Sequence, residues 1–90
     1  MFLIITAYER SDLIHIMKMN RLTLADSDSA QLEFTGHAND KNYQIKILAV
    51  ESSPQLIINS NGEVVCNENL RSVDDLKIFL DERLYQFFIE

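Results

Sequence analysis

Glycine occurs twice, proline once, cysteine once and tryptophan nowhere in this chain of 90 residues. So little glycine and proline excludes a flexible or low-complexity linker. It also leaves too little glycine for a phosphate-cradling loop, and neither G-x-G-x-x-G nor G-x-S-x-G occurs. With Cys66 as the one cysteine, no internal disulfide can form. Secreted domains of this size often carry several, so the expected compartment is the reducing cytoplasm. No Asn-x-Ser/Thr glycosylation sequon argues otherwise. Long apolar runs are scarce as well. The opening segment, residues 1–7, is apolar but brief, lacks a basic flank and is followed at once by Glu9, Arg10 and Asp12. Such a stretch is too short for a signal sequence or a membrane span.

Positive charge is the other shortage. Eight Lys and Arg face fourteen Asp and Glu, for a net charge of −6. The basic residues are scattered singly along the chain. Direct nucleic-acid binding and docking on an anionic membrane therefore have no basic patch to use. An acidic surface favours a basic protein partner, because complementary fields speed encounter. The same charge also falls in the range of about 2–8 that keeps small domains soluble.

What is present is an ordinary globular composition. Apolar residues are 47% of the chain and charged ones 24%, which argues against disorder. Residues 1–90 read as one domain with one core. A chain this short buries roughly 60–65% of its unfolded surface, leaving little room for an enclosed pocket.

The periodicity predicts an α+β fold in the order β-α-β-β-β-β-α. It comprises a small antiparallel sheet of four to five strands, a C-terminal amphipathic helix packed on one face, and a shorter N-terminal helix. Residues 2–5 read as a buried strand. Thr6 and Glu9 have capping-box spacing, and Ser11-Asp12 is a second start signal. Leu13, Ile16 and Met17 suggest a helix over about 10–20, with a single helix from 2 to 19 as the alternative. Residues 21–24 read as a short strand or a helix exit, and residues 26–29 as a turn. Strict alternation then begins. Leu32, Phe34, Gly36 and Ala38 oppose Glu33, Thr35 and His37, and after a turn at 39–42 Tyr43, Ile45, Ile47 and Ala49 oppose Gln44 and Lys46. This is the pattern of an antiparallel hairpin with one buried face. Pro54 breaks the ladder, since it has no N–H to give. Asn61-Gly62 is the strongest turn signal, because a type I′ turn needs positive φ at both positions. A two-residue loop there sets Ser60 opposite Glu63, Ile58 opposite Val65 and Ile57 opposite Cys66, so Leu56, Ile58 and Val65 share a face. Ser72 reads as an N-cap with Asp75 three residues on. Behind it Val73, Leu76, Leu80, Leu84 and Phe87 form a stripe opposite Asp74, Lys77, Asp81, Glu82 and Gln86. Phe88 and Ile89 extend the apolar stripe to the C-terminus.

The residues that carry chemistry do not gather. His15 and His37 lack the H-x-x-x-H or C-x-x-C partners that a zinc site uses. Cys66 lies in a predicted strand, where isolated cysteines behave as small hydrophobes rather than nucleophiles. Asp26-x-Asp28 resembles the opening of a calcium loop, but the glycine and the closing glutamate at the required offsets are missing. Tyr8, Tyr43, Tyr85 and Phe34 could stack bases, yet their surroundings are acidic, so core packing accounts for them better. Neither a catalytic constellation nor a cofactor or metal site is expected.

The expectation is a non-catalytic, cytoplasmic protein-binding module acting on a basic partner, including one that handles nucleic acid. Size, charge and element order are similar to those of small inhibitor proteins such as phage anti-defence, anti-CRISPR and toxin-immunity proteins. The candidate contact residues are Asp26, Asp28, Glu33, Asp74, Asp81 and Glu82. The alternative is a structural or chaperone-like subunit, acting as a homodimer or within a larger complex through an edge strand or the apolar helix tip. Type III secretion chaperones are likewise small, acidic and α+β.

Overall fold

Thr6 decides where the first helix starts. Its backbone is extended, with φ −67° and ψ 162°, and its side chain accepts a hydrogen bond from the Glu9 amide while Glu9 reaches back to the Thr6 amide. This complete capping box opens α1, Ala7–Met19. The helix therefore begins earlier than residue 10, and it does not run through Thr6 as a single helix from residue 2 would. The computed structural model describes residues 6–27, 31–38, 40–50 and 53–87. The strand expected at 2–5, the candidate Asp28, and Phe88 and Ile89 lie outside the described residues.

The helix ends on an unusual residue. The Arg21 amide donates to the Lys18 carbonyl at 3.0 Å and the Leu22 amide to the Met17 carbonyl at 2.9 Å. These are the two bonds of a Schellman cap, and buried Leu22 and Met17 supply the hydrophobic pair that accompanies it. The left-handed position of this cap, where glycine is usual, is held by Arg21 at φ 63°. A non-glycine residue there costs roughly 1–2 kcal/mol.

Five strands follow: β1 Thr23–Ser27, β2 Gln31–Ala38, β3 Lys41–Val50, β4 Ser53–Ser60 and β5 Glu63–Asn69. They form one antiparallel sheet in the order β1-β2-β3-β4-β5. Asp26 and Ser27 belong to β1, paired with Glu33 and Leu32, and not to a turn. Ala38 pairs with Lys41, so Lys41 and Asn42, expected in a turn, open β3 instead, and Asn39 lies outside the described residues. Pro54 also differs from expectation. It sits second in β4, opposite Ala49, with its ring in the core and its carbonyl accepting from the Leu70 amide. Position near a strand start makes the missing N–H tolerable.

The Asn61-Gly62 turn has φ of 51° and 86°, both positive as a type I′ turn requires. Ser60 pairs with Glu63, but a bulge then shifts the register. Ile58 faces Cys66, and Ile57 faces Asn67. The extra residue sends Val65 outward, 45% exposed, and gives its expected inward place to Cys66, which packs against the core.

Ser72 caps the second helix, α2 Val73–Arg83, by accepting from the Asp75 amide at 3.2 Å, and a 3-10 turn, Leu84–Phe87, continues it. The stripe Val73, Leu76, Leu80 and Leu84 is buried. With Leu13 and Met17 of α1 it covers one sheet face, made of Leu32, Phe34, Tyr43, Ile45, Ile47, Leu56 and Ile58. Tyr43 Oη donates to the Phe87 carbonyl at 2.9 Å and ties the end of the helical segment to β3. Of the aromatic residues expected in the core, Phe34 and Tyr43 are there, whereas Tyr8 is 83% exposed. The opposite sheet face carries no described helix, and β1 and β5 are its edges.

Candidate partner-binding surface

The sheet divides the candidate acids into two groups. Asp26 and Glu33 are register neighbours on the open face, in a row that continues through Lys46. Glu33 is half-buried and accepts from Gln44 Nε2 at 2.8 Å, so it is a fixed member of a polar network. Asp74, Asp81 and Glu82 are exposed on α2, on the other side of the molecule. The two groups cannot contact one flat partner together.

The α2 group lies in an acidic stretch of the chain. From Glu63 to Arg83 the chain carries Glu63, Glu68, Asp74, Asp75, Asp81 and Glu82 against Arg71, Lys77 and Arg83. Two of these cations are engaged by neighbouring side chains. Lys77 Nζ reaches across to Asp12 of α1 at 2.9 Å, with Asp74 at 3.9 Å. The hydrogen bond it donates to Asp12 is the main reason the Lys77 ammonium is held above its ordinary value. The Arg83 guanidinium lies over the Phe79 ring, 5.6 Å from its centre. The carboxylates of Asp81 and Glu82 are left facing water.

Between β5 and α2 this side forms a shallow concavity. It is lined by apolar Leu70, Ile78 and Phe79, by the acids Glu68, Asp75 and Glu82, and by Asn69, Arg71 and Arg83. Ile78 is 54% exposed, although it lies in the middle of a helix whose stripe is buried. Asp74 and Glu82 are four residues to either side of it, and Asp75 and Asp81 three. Such positions are neighbours on a helix surface. Ile78 is thus an exposed apolar side chain with an acidic residue at each of its four helical neighbour positions, while Arg71 and Arg83 line the same concavity. Sequence reading missed Ile78. Its signal was its place outside the 73-76-80-84 stripe.

The chemistry-bearing side chains stay apart. His15 is exposed on α1, and His37 is exposed on β2, where its Nδ1 meets Asn42 Oδ1 at 2.9 Å. Burial, and then the charge of Glu68, push the Cys66 thiol above its ordinary value, which favours the protonated, weakly nucleophilic form at neutral pH. Among the described residues no three His, Cys, Asp or Glu side chains gather to hold a metal ion, and no helix is long and apolar enough to cross a membrane. No protein-family model matches the chain, and no solved structure matches it.

Proposed function

We propose that this chain is a non-catalytic binding module that engages a basic protein, through the concavity between β5 and α2, as an inhibitor or immunity-type protein does. One observation carries the reading: Ile78 is exposed in mid-helix, with acidic residues at all four of its helical neighbour positions. A Lys- or Arg-bearing partner would bury an apolar side chain against Ile78 and Leu70 while its cations meet Glu68, Asp81 and Glu82. Burial at such a centre supplies affinity, and the rim charges supply attraction and selectivity. Carboxylates along a helix can also occupy a groove shaped for phosphates, so a nucleic-acid-handling protein fits the same surface. The single free thiol suits a reducing, cytoplasmic setting.

The test compares immobilised wild-type chain with the variant D81K/E82K in capture from a native lysate. Both residues are exposed in the last turns of α2, where added cations suit the helix dipole and leave the fold intact. Wild type is expected to retain basic proteins that salt releases, and the variant to lose them. Retention of acidic or neutral proteins, indifferent to salt and to the charge reversal, would overturn the reading.

The homodimer alternative draws on the open edge of β5, where Val64 is 57% exposed. A mass measurement by light scattering across a concentration series decides it. A dimer at micromolar concentration would favour it, and a strict monomer would remove it.

A further inference from the structure

The open sheet face holds a second feature that the acidic surface does not use. An open concavity of about 1020 Å³ lies at the end of the sheet where β1 begins and where β4 turns into β5. One register row, Thr23, Thr35, Gln44 and Asn59, crosses four strands beneath it. His37 and Asn42 form the next row, and Asn61 Oδ1 accepts from the Asn42 amide at 2.8 Å. The lining is hydroxyls, amides, an imidazole, Arg21, Tyr43 and two glycines, with no carboxylate. On a chain of net charge −6 that composition is the reverse of the average surface. Glu33, in the following row, already accepts from Gln44 and lies beside Lys46.

Arg21 is the telling residue. It occupies the left-handed cap position where glycine is favoured, and its guanidinium has neither a hydrogen bond nor an ion pair with the described residues. Stability alone would prefer glycine there. Gly36 lets the Arg21–Leu22 backbone cross β2 closely: a Cβ on Gly36 would stand 3.4 Å from the Arg21 carbonyl oxygen. Conformational cost, close approach and a cation without a partner among the described residues thus coincide at one polar concavity. Strained residues of this kind gather at ligand sites.

We propose that this concavity binds a small oxyanion-bearing ligand, a phosphate ester or a carboxylate. Arg21 holds the charged oxygens, helped by the hydroxyls of Thr23 and Thr35 and by the His37 ring. Gln44, Asn59 and Asn61 receive the polar body of the ligand. Guanidinium binds either oxyanion in two-pronged fashion, so the shared chemistry is the assignment.

The experiment is an NMR titration of the full chain, following backbone amides, with inorganic phosphate in one arm, acetate in a second, and sodium chloride at matched ionic strength as control. Saturable shifts at residues 21–23, 35–37 and 42–44, in either oxyanion arm and absent with chloride, are expected. The arm that saturates names the source. Arg21→Gly is expected to raise the melting temperature while weakening the oxyanion response by about tenfold or more, the loss of one charge-assisted bond. Arg21→Gln, which keeps the backbone cost, should weaken the response equally without the thermal gain. Shifts that follow chloride alone, or saturation unchanged in both variants, would overturn the proposal.

Discussion

Gly36 and Leu22 offer a direct test of how β1 joins the sheet. A Cβ placed on Gly36 would stand 2.4 Å from Leu22 Cδ2, and Leu22 is only 3% exposed. Carbon atoms sit best at about 3.5–4.0 Å, so Leu22 must move by more than an ångström within a closed core. Overpacking of this kind costs about 1–3 kcal/mol. Replacing glycine lowers the entropy of the unfolded chain and returns about 0.4–1 kcal/mol. Gly36→Ala should therefore destabilise by about 1–2 kcal/mol. Leu22→Ala alone should cost about 2–5 kcal/mol, since it leaves a cavity. Combined, the new methyl enters the space that Leu22 vacates. In the Leu22→Ala background, Gly36→Ala should become neutral or stabilising. Urea denaturation followed by circular dichroism, on wild type, both single variants and the double variant, reads the cycle. A coupling of about 1–3 kcal/mol is expected for side chains in contact. Additivity within about 0.5 kcal/mol would refute the close crossing of Leu22 over β2.

Five further outcomes follow from the same structure. Leu76→Ala, at a fully buried position, should cost about 2–5 kcal/mol. Ile78→Ala, two residues away but exposed, should change stability by no more than about 0.5 kcal/mol in the same melts, and weaken capture of a basic partner. Thr6→Ala removes the capping side chain of α1 and should cost about 1 kcal/mol, with the loss of α1 amide protection in hydrogen exchange as its local signature. Cys66 should react with iodoacetamide more slowly than an unfolded-peptide cysteine at mildly alkaline pH, and Glu68→Gln should speed it. Because the folded chain holds that thiol proton more tightly, stability should fall as pH rises above the ordinary thiol value. For Lys77 the raised ammonium gives the same sign at higher pH. The stability gap between wild type and Lys77→Gln should hold through neutral pH and close only above the ordinary lysine range, as the ammonium loses its proton.

Local patterns in the sequence account for most of the scaffold. The alternation through Leu32–Ala38 and Tyr43–Ala49 specifies the central hairpin, because a slip of one residue would turn every apolar side chain to water. Asn61-Gly62 and the Thr6/Glu9 and Ser72/Asp75 spacings mark their turn and caps for equally local reasons. Three features are not local. The β5 bulge depends on how the strand twists against β4, so counting from the turn placed Val65 inward where Cys66 belongs. The Schellman cap at Arg21 hides from a reader who looks for glycine there. The candidate site was legible in type but not in place: charge pointed to the acids, while only the packing of α2 reveals that Asp26 and Glu33 are separated from Asp81 and Glu82, and that Ile78 is left uncovered.

Each strand of this sheet hydrogen-bonds to the strand next to it in the chain, without a crossover. Its ladders therefore close loops a few residues long, and little chain entropy stands in the way of any one of them. Folding rates track how far apart in sequence the contacting residues lie. This chain can zip outward from the β2–β3 hairpin one neighbour at a time, and its refolding after dilution from urea belongs with the quicker β-containing domains rather than with the slow sandwiches.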